Sequence, residues 1–123
     1  MPIKKRVLTI DRKKWARGGK EPAYLLSGKG KMCCLGFDAR ACGLSKERIL
    51  MQMEPCEIEV SPDEKHYITK RLISVINGYG NNSKLIDDLM SLNDNPDIGD
   101  SEREERLTPL LKKLGYAEVH FVN

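Results

Sequence analysis

No apolar run in this chain approaches the roughly 18 residues of a membrane-spanning helix, so a helical membrane protein is not expected. No repeat recurs and no segment is of low complexity, which argues against solenoids and solvated tails. Histidine is confined to His66 and His120. The four cysteines, Cys33, Cys34, Cys42 and Cys56, form no C-x-x-C, and the adjacent pair is foreign to disulfide frameworks and to standard zinc spacings. No metal or cofactor is therefore expected. Aromatic residues are only 6%, and just Trp15 and Tyr24 interleave with the basic amino-terminal third, with no recognised nucleic-acid-reading module. Lys4, Lys5 and Arg6 are followed by only Val7-Leu8-Thr9-Ile10 before Asp11, too little for the apolar core of a signal peptide. The expected location is a cytoplasm, where thiols stay free.

What is present suits one small folded domain over residues 1–123: 40% hydrophobic residues, 32% charged, and enough chain for a single core. The net charge of +3 hides an asymmetry. Residues 1–31 carry ten Lys or Arg against Asp11 and Glu21, while residues 87–105 carry eight acids against Arg103 alone. Either the basic third attracts an anionic partner, or the two ends neutralise each other within the fold.

Val7-Leu8-Thr9-Ile10 reads as a first strand, and Asp11 as the cap of a short helix through Trp15 that Gly18-Gly19 stops. A second strand is expected over residues 23–26, then a turn at Ser27-Gly28-Lys29-Gly30. Residues 31–42 show helical spacing, with Met32, Leu35, Gly36 and Ala39 on one face and Gly43 as the stop. Ser45 caps a short helix holding Ile49, Leu50 and Met53. Residues 57–60 alternate like a strand, and Ser61-Pro62-Asp63-Glu64 opens a helix. A helix follows over residues 84–92, then a polar loop over 93–100. Ser101-Glu102-Arg103-Glu104 reads as a capping box for a last helix with Leu107, Leu110, Leu111 and Leu114 inward. Val119 and Phe121 alternate with Glu118 and His120 in a closing strand. The sum is an α+β domain, a short sheet joining the first and last strands and packed by several helices.

The segment Asp11-Arg12-Lys13-Lys14-Trp15-Ala16-Arg17-Gly18, then Cys33-Cys34-Leu35-Gly36 continuing to Ala41-Cys42-Gly43-Leu44, resembles small uncharacterised proteins of bacteriophages and prophages. These share Asp-x-x-x-Trp-x-Arg-Gly followed by Cys-Cys-Leu-Gly at a helix start. Asn93-Asp94-Asn95, Arg103-Glu104-Glu105-Arg106-Leu107 and Leu114-Gly115 extend the likeness to residues 85–123. The resemblance implies a phage context, a host bacterial cytoplasm and an accessory role against host defence. It implies no reaction.

The leading candidate site is an anion cradle at the start of the Cys-Cys helix. Gly30 and Lys31 precede that helix, Arg17 offers a fork for phosphate, Trp15 a stacking face, and the amides around Cys33, Cys34 and Leu35 a backbone nest. The expected function is thus a non-enzymatic binder that sequesters a phosphorylated, nucleotide-like small molecule. Three alternatives stand beside it. One is an inhibitor docking on a host defence protein through its charged faces. Another is nucleic-acid binding through Lys4, Lys5, Arg6, Arg12, Lys13, Lys14 and Lys20. The last is a cysteine enzyme using Cys33 or Cys34, for which His66 and His120 are the only bases of that type. A homo-oligomer fits a sequestering protein, which gains pocket volume between subunits.

Overall fold

The computed structural model describes residues 6–19, 24–41, 44–52 and 83–123. The strand expected at 57–60, the helix expected from Ser61, and Cys42, Cys56 and His66 lie outside them. The elements are β1 (Val7–Asp11), a single 3-10 turn (Arg12–Lys14), α1 (Cys34–Ala41), α2 (Lys46–Ile49), α3 (Ser83–Asp94), α4 (Asp100–Lys113) and β2 (Glu118–Val122). This is the α+β arrangement the residue patterns predict, with the first and last strands paired.

The two strands run parallel, with Leu8 opposite Val119 and Ile10 opposite Phe121. Alternation in β1 buries Leu8 and Ile10 and leaves Val7 and Thr9 outside, so one face of the sheet meets the helices. Against that face packs α1, which contributes Leu35, Phe37 and Ala39, while α3 and α4 add Leu89, Leu107 and Leu111. Burying each such side chain stabilises the fold by roughly 1.5–3 kcal/mol. The Tyr116 hydroxyl donates to buried Asp38, tying the approach to β2 to the middle of α1. Asp11 caps the 3-10 turn through a bond from the Lys13 amide to its carboxylate (3.0 Å), as its side-chain chemistry suggests.

Three local expectations need correction. The helix predicted from Lys31 begins at Cys34. Met32 is held extended beside Trp15, since its amide donates to Lys14 O (2.8 Å) and its carbonyl accepts from Ala16 N (2.8 Å). The Cys33 amide donates to Tyr24 O (3.0 Å), so the chain turns helical only afterwards. Residues 24–26 form no strand; Leu26 makes one isolated parallel bridge to Leu50. The last helix begins at Asp100 with Gly99 as its cap, and Ser101 lies inside it. The expected reciprocal partner, Glu104, is instead engaged by Arg12 through two bonds of 2.8 and 2.7 Å. A long-range forked ion pair has displaced a local cap.

Candidate functional site

Asn93, the penultimate residue of α3, organises this end of the molecule. Its side-chain oxygen accepts from Trp15 Nε1 (2.8 Å) and from the Cys34 amide (3.1 Å). Its side-chain nitrogen donates to Ala16 O (3.0 Å) and to Asp94 Oδ1 (2.8 Å), and its carbonyl accepts from Gly18 N (2.8 Å). One buried amide thus joins the Trp15 segment, the start of α1 and the end of α3. Burial raises the Asp94 carboxyl above its ordinary range, against the lowering effects of the Asn93 bond and the Arg103 charge.

Trp15 is buried. The Arg17 guanidinium lies over its ring at 4.6 Å, and Phe121 packs against it at 5.2 Å between centroids. Arg17 is itself engaged: Nη1 donates to the carbonyls of Arg12 (3.1 Å) and Trp15 (3.0 Å), and Nη2 to Asp100 Oδ2 (3.1 Å). Arg103 is fully buried and donates to Asp100 Oδ1 (2.6 Å) and to the carbonyls of Leu92, Asn95 and Ile98. Arg103 therefore secures the loop between α3 and α4, while Arg17 ties residues 12–15 to the start of α4. For Arg12 and Arg17, the opposed charges of the two chain ends do meet within the fold.

Of the seven residues the sequence nominated, Trp15, Arg17 and Lys31 line one polar cavity of about 380 Å³, together with Asp100 and Arg103. Cys33, Cys34 and Leu35 do not join them; they belong to the core. The amides of Cys33 and Cys34 are consumed by Tyr24 O and Asn93 Oδ1, which removes the nest expected there. Trp15 offers no free face for a base, because Arg17 and Phe121 cover it.

Gly30 and Lys31 line a second, neighbouring concavity of about 470 Å³. Five lysines surround it: Lys13 and Lys14 from the 3-10 turn, Lys29 and Lys31 from the glycine turn, and Lys46 from α2. Its floor is Leu26 and Met32, with Leu50 on its wall, and among the described residues no carboxylate lines it. Among the described residues no salt bridge engages Lys13, Lys14, Lys29 or Lys46. The turn is preorganised: Ser27 Oγ accepts from the amides of Lys29 (3.3 Å) and Lys31 (3.2 Å), and Gly30 adopts φ +83°. Five lysines from three segments of the chain thus line one hollow. Lys46 was not nominated, because long-range backbone pairing of residues 25–26 with residues 50–52 is what brings α2 beside the turn.

The thiols are poor nucleophiles. Burial pushes Cys33 up to about 11 and raises Cys34 well above the ordinary thiol range. His120 lies on β2, exposed and 3.4 Å from Glu118. In native protein at neutral pH, iodoacetamide is expected to modify Cys33 and Cys34 only as fast as the fold opens, and fully in denaturant. Peptide mass spectrometry resolves these two sites from Cys42 and Cys56, and rapid native labelling at Cys33 or Cys34 would contradict their burial. Among the described residues no cluster of three or more His, Cys, Asp or Glu is arranged to hold a metal, and no helix is long and apolar enough to cross a membrane. No protein family, curated protein or solved structure matches the chain.

Proposed function

We propose that this protein is a non-enzymatic binder that sequesters a phosphorylated small molecule, as an accessory protein of the phage type acting against host defence. The observation that carries this reading is the concavity lined by five lysines, of which Lys13, Lys14, Lys29 and Lys46 make no salt bridge among the described residues. The charges of Lys13, Lys14, Lys29 and Lys46 around one hollow repel one another, and an anion seated among them relieves that repulsion. Gly30 and Lys31 keep the role assigned from the sequence, joined by Lys13, Lys14, Lys29 and Lys46. Trp15 and Arg17 act behind them as supports of the adjoining cavity.

A thermal-shift panel of nucleoside polyphosphates, cyclic dinucleotides and ADP-ribose derivatives tests the proposal. At a ligand concentration near 100 Kd, a true ligand stabilises by about 2.7 kcal/mol, which raises the midpoint by several degrees. The shift should shrink as salt rises and vanish in a Lys14→Glu, Lys29→Glu double variant, while Lys112→Glu at the end of α4 leaves it intact. A panel without any stabilising member, or a shift that survives the double reversal, overturns the proposal.

A further inference from the structure

We infer that the ligand of the lysine concavity is amphipathic, an anion carrying a flat apolar group as a nucleoside polyphosphate does, and that the apolar group rests on Leu50. The inference builds on the anion-binding reading of this concavity and adds what the rest of the ligand must be. A site for a bare polyanion needs only cationic and polar walls. Here the lysines stand around apolar side chains: Leu26 and Met32 are buried at the floor, while Leu50 on the wall is 43% exposed. The next residue, Met51, is 51% exposed and holds φ +60°, a left-handed conformation that non-glycine residues rarely adopt. Two successive large apolar side chains are thus shown to solvent on a constrained turn, although water favours burying them.

That turn is firmly built. Met51 N donates to Leu26 O (2.7 Å) and Gln52 N to Ile49 O (3.2 Å), and Leu26 bridges Leu50. The exposure of Leu50 is therefore fixed by the backbone at the edge of the basic hollow. A ligand with phosphates among the lysines and a planar ring beyond them would cover this surface. The volume of about 470 Å³ lies in the range of small-molecule sites.

Isothermal titration of the full chain with ATP and with inorganic tripolyphosphate, without divalent cations and at one ionic strength, tests the inference. Tripolyphosphate carries at least as much charge as the triphosphate of ATP, so purely electrostatic capture would favour it. The expected result is ATP bound at least about tenfold more tightly. In Leu50→Ser that preference should fall to within about threefold, while tripolyphosphate affinity stays unchanged; Met51→Ser, outside the lining of the hollow, should keep the preference. Both side chains are substantially exposed, so the variants should keep the parent melting temperature to within a few degrees. Tripolyphosphate binding as tightly as ATP, or a preference for ATP that survives Leu50→Ser or is lost equally in Met51→Ser, overturns the inference and leaves the anion site standing. If neither compound binds, the anion site falls with it.

Discussion

Gly36→Ala is expected to destabilise the fold by about 3 kcal/mol or more, a large share of the roughly 5–15 kcal/mol that holds a domain folded. A Cβ built on Gly36 would stand 1.9 Å from the Leu25 carbonyl oxygen, 2.8 Å from its carbonyl carbon and 2.9 Å from Met32 Cβ. The first two are backbone atoms and have no rotamer to retreat into. The Leu25 segment is held in place by its own hydrogen bonds: Leu25 N donates to Gln52 O (2.7 Å), and Tyr24 O accepts from Cys33 N (3.0 Å). Met32 is fixed through Lys14 and Ala16. Relief would require α1 to lift off the chain beneath it, opening the core at Leu25 and Leu35. Gly28→Ala is the control, since its added Cβ meets nothing within 4 Å, and its stability should stay within about 0.5 kcal/mol of the parent. Urea unfolding followed by far-ultraviolet circular dichroism measures both. A Gly36→Ala midpoint close to that of Gly28→Ala would mean that α1 does not pack as closely as described.

The glycine of Cys-Cys-Leu-Gly was legible as a small residue on an inward helix face, and the structure supplies the reason for it. Elements governed by local periodicity were equally legible. Alternation gives β1 and β2, and the leucine spacing gives the buried stripe of α4. What could not be read depends on partners far along the chain. α1 starts three residues late because Met32 and Cys33 spend their backbone groups on Lys14, Ala16 and Tyr24. Ser101 loses its capping role because Arg12, more than ninety residues away in sequence, claims Glu104. The candidate site divides in the same way. Gly30 and Lys31 announce themselves by turn chemistry and charge. Lys46 and Leu50 join through backbone pairing of residues 25–26 with residues 50–52, which no spacing encodes.

Asn93 is the clearest case of a residue whose weight is hidden in the sequence, where it reads as the start of a polar loop. Asn93→Ala is expected to cost about 3–5 kcal/mol. It would strip partners from the Trp15 indole N–H, the Cys34 amide and the Ala16 carbonyl. Each such buried group left unmatched costs about 1–3 kcal/mol, and the three overlap at one position, so the sum is not simply additive. Urea midpoints report the loss. The fluorescence of Trp15, the single tryptophan, reports whether its surroundings loosen.

Asn93→Asp separates hydrogen bonding from simple occupancy of space. The new side chain keeps an oxygen for Trp15 and Cys34, but its second oxygen would face the Ala16 carbonyl and the Asp94 carboxylate, acceptor against acceptor. Burial beside Asp94, whose own carboxyl is already raised, places the folded-state pKa of the introduced acid above its unfolded value of about 3.9. Linkage then sets the sign. The unfolded chain releases this proton at lower pH than the folded one, so the deficit relative to the parent is smallest below about pH 4 and grows as pH rises through the folded-state pKa. The difference in urea midpoint between parent and Asn93→Asp should therefore be larger at pH 7 than at pH 4, and should grow by more than the Asn93→Ala deficit, in which loss of the Asn93 bond only lifts the Asp94 carboxyl further. Equal Asn93→Asp deficits at both pH values would mean that the side-chain nitrogen of Asn93 does not face a buried acceptor, and the junction of Trp15, α1 and α3 would need a different construction.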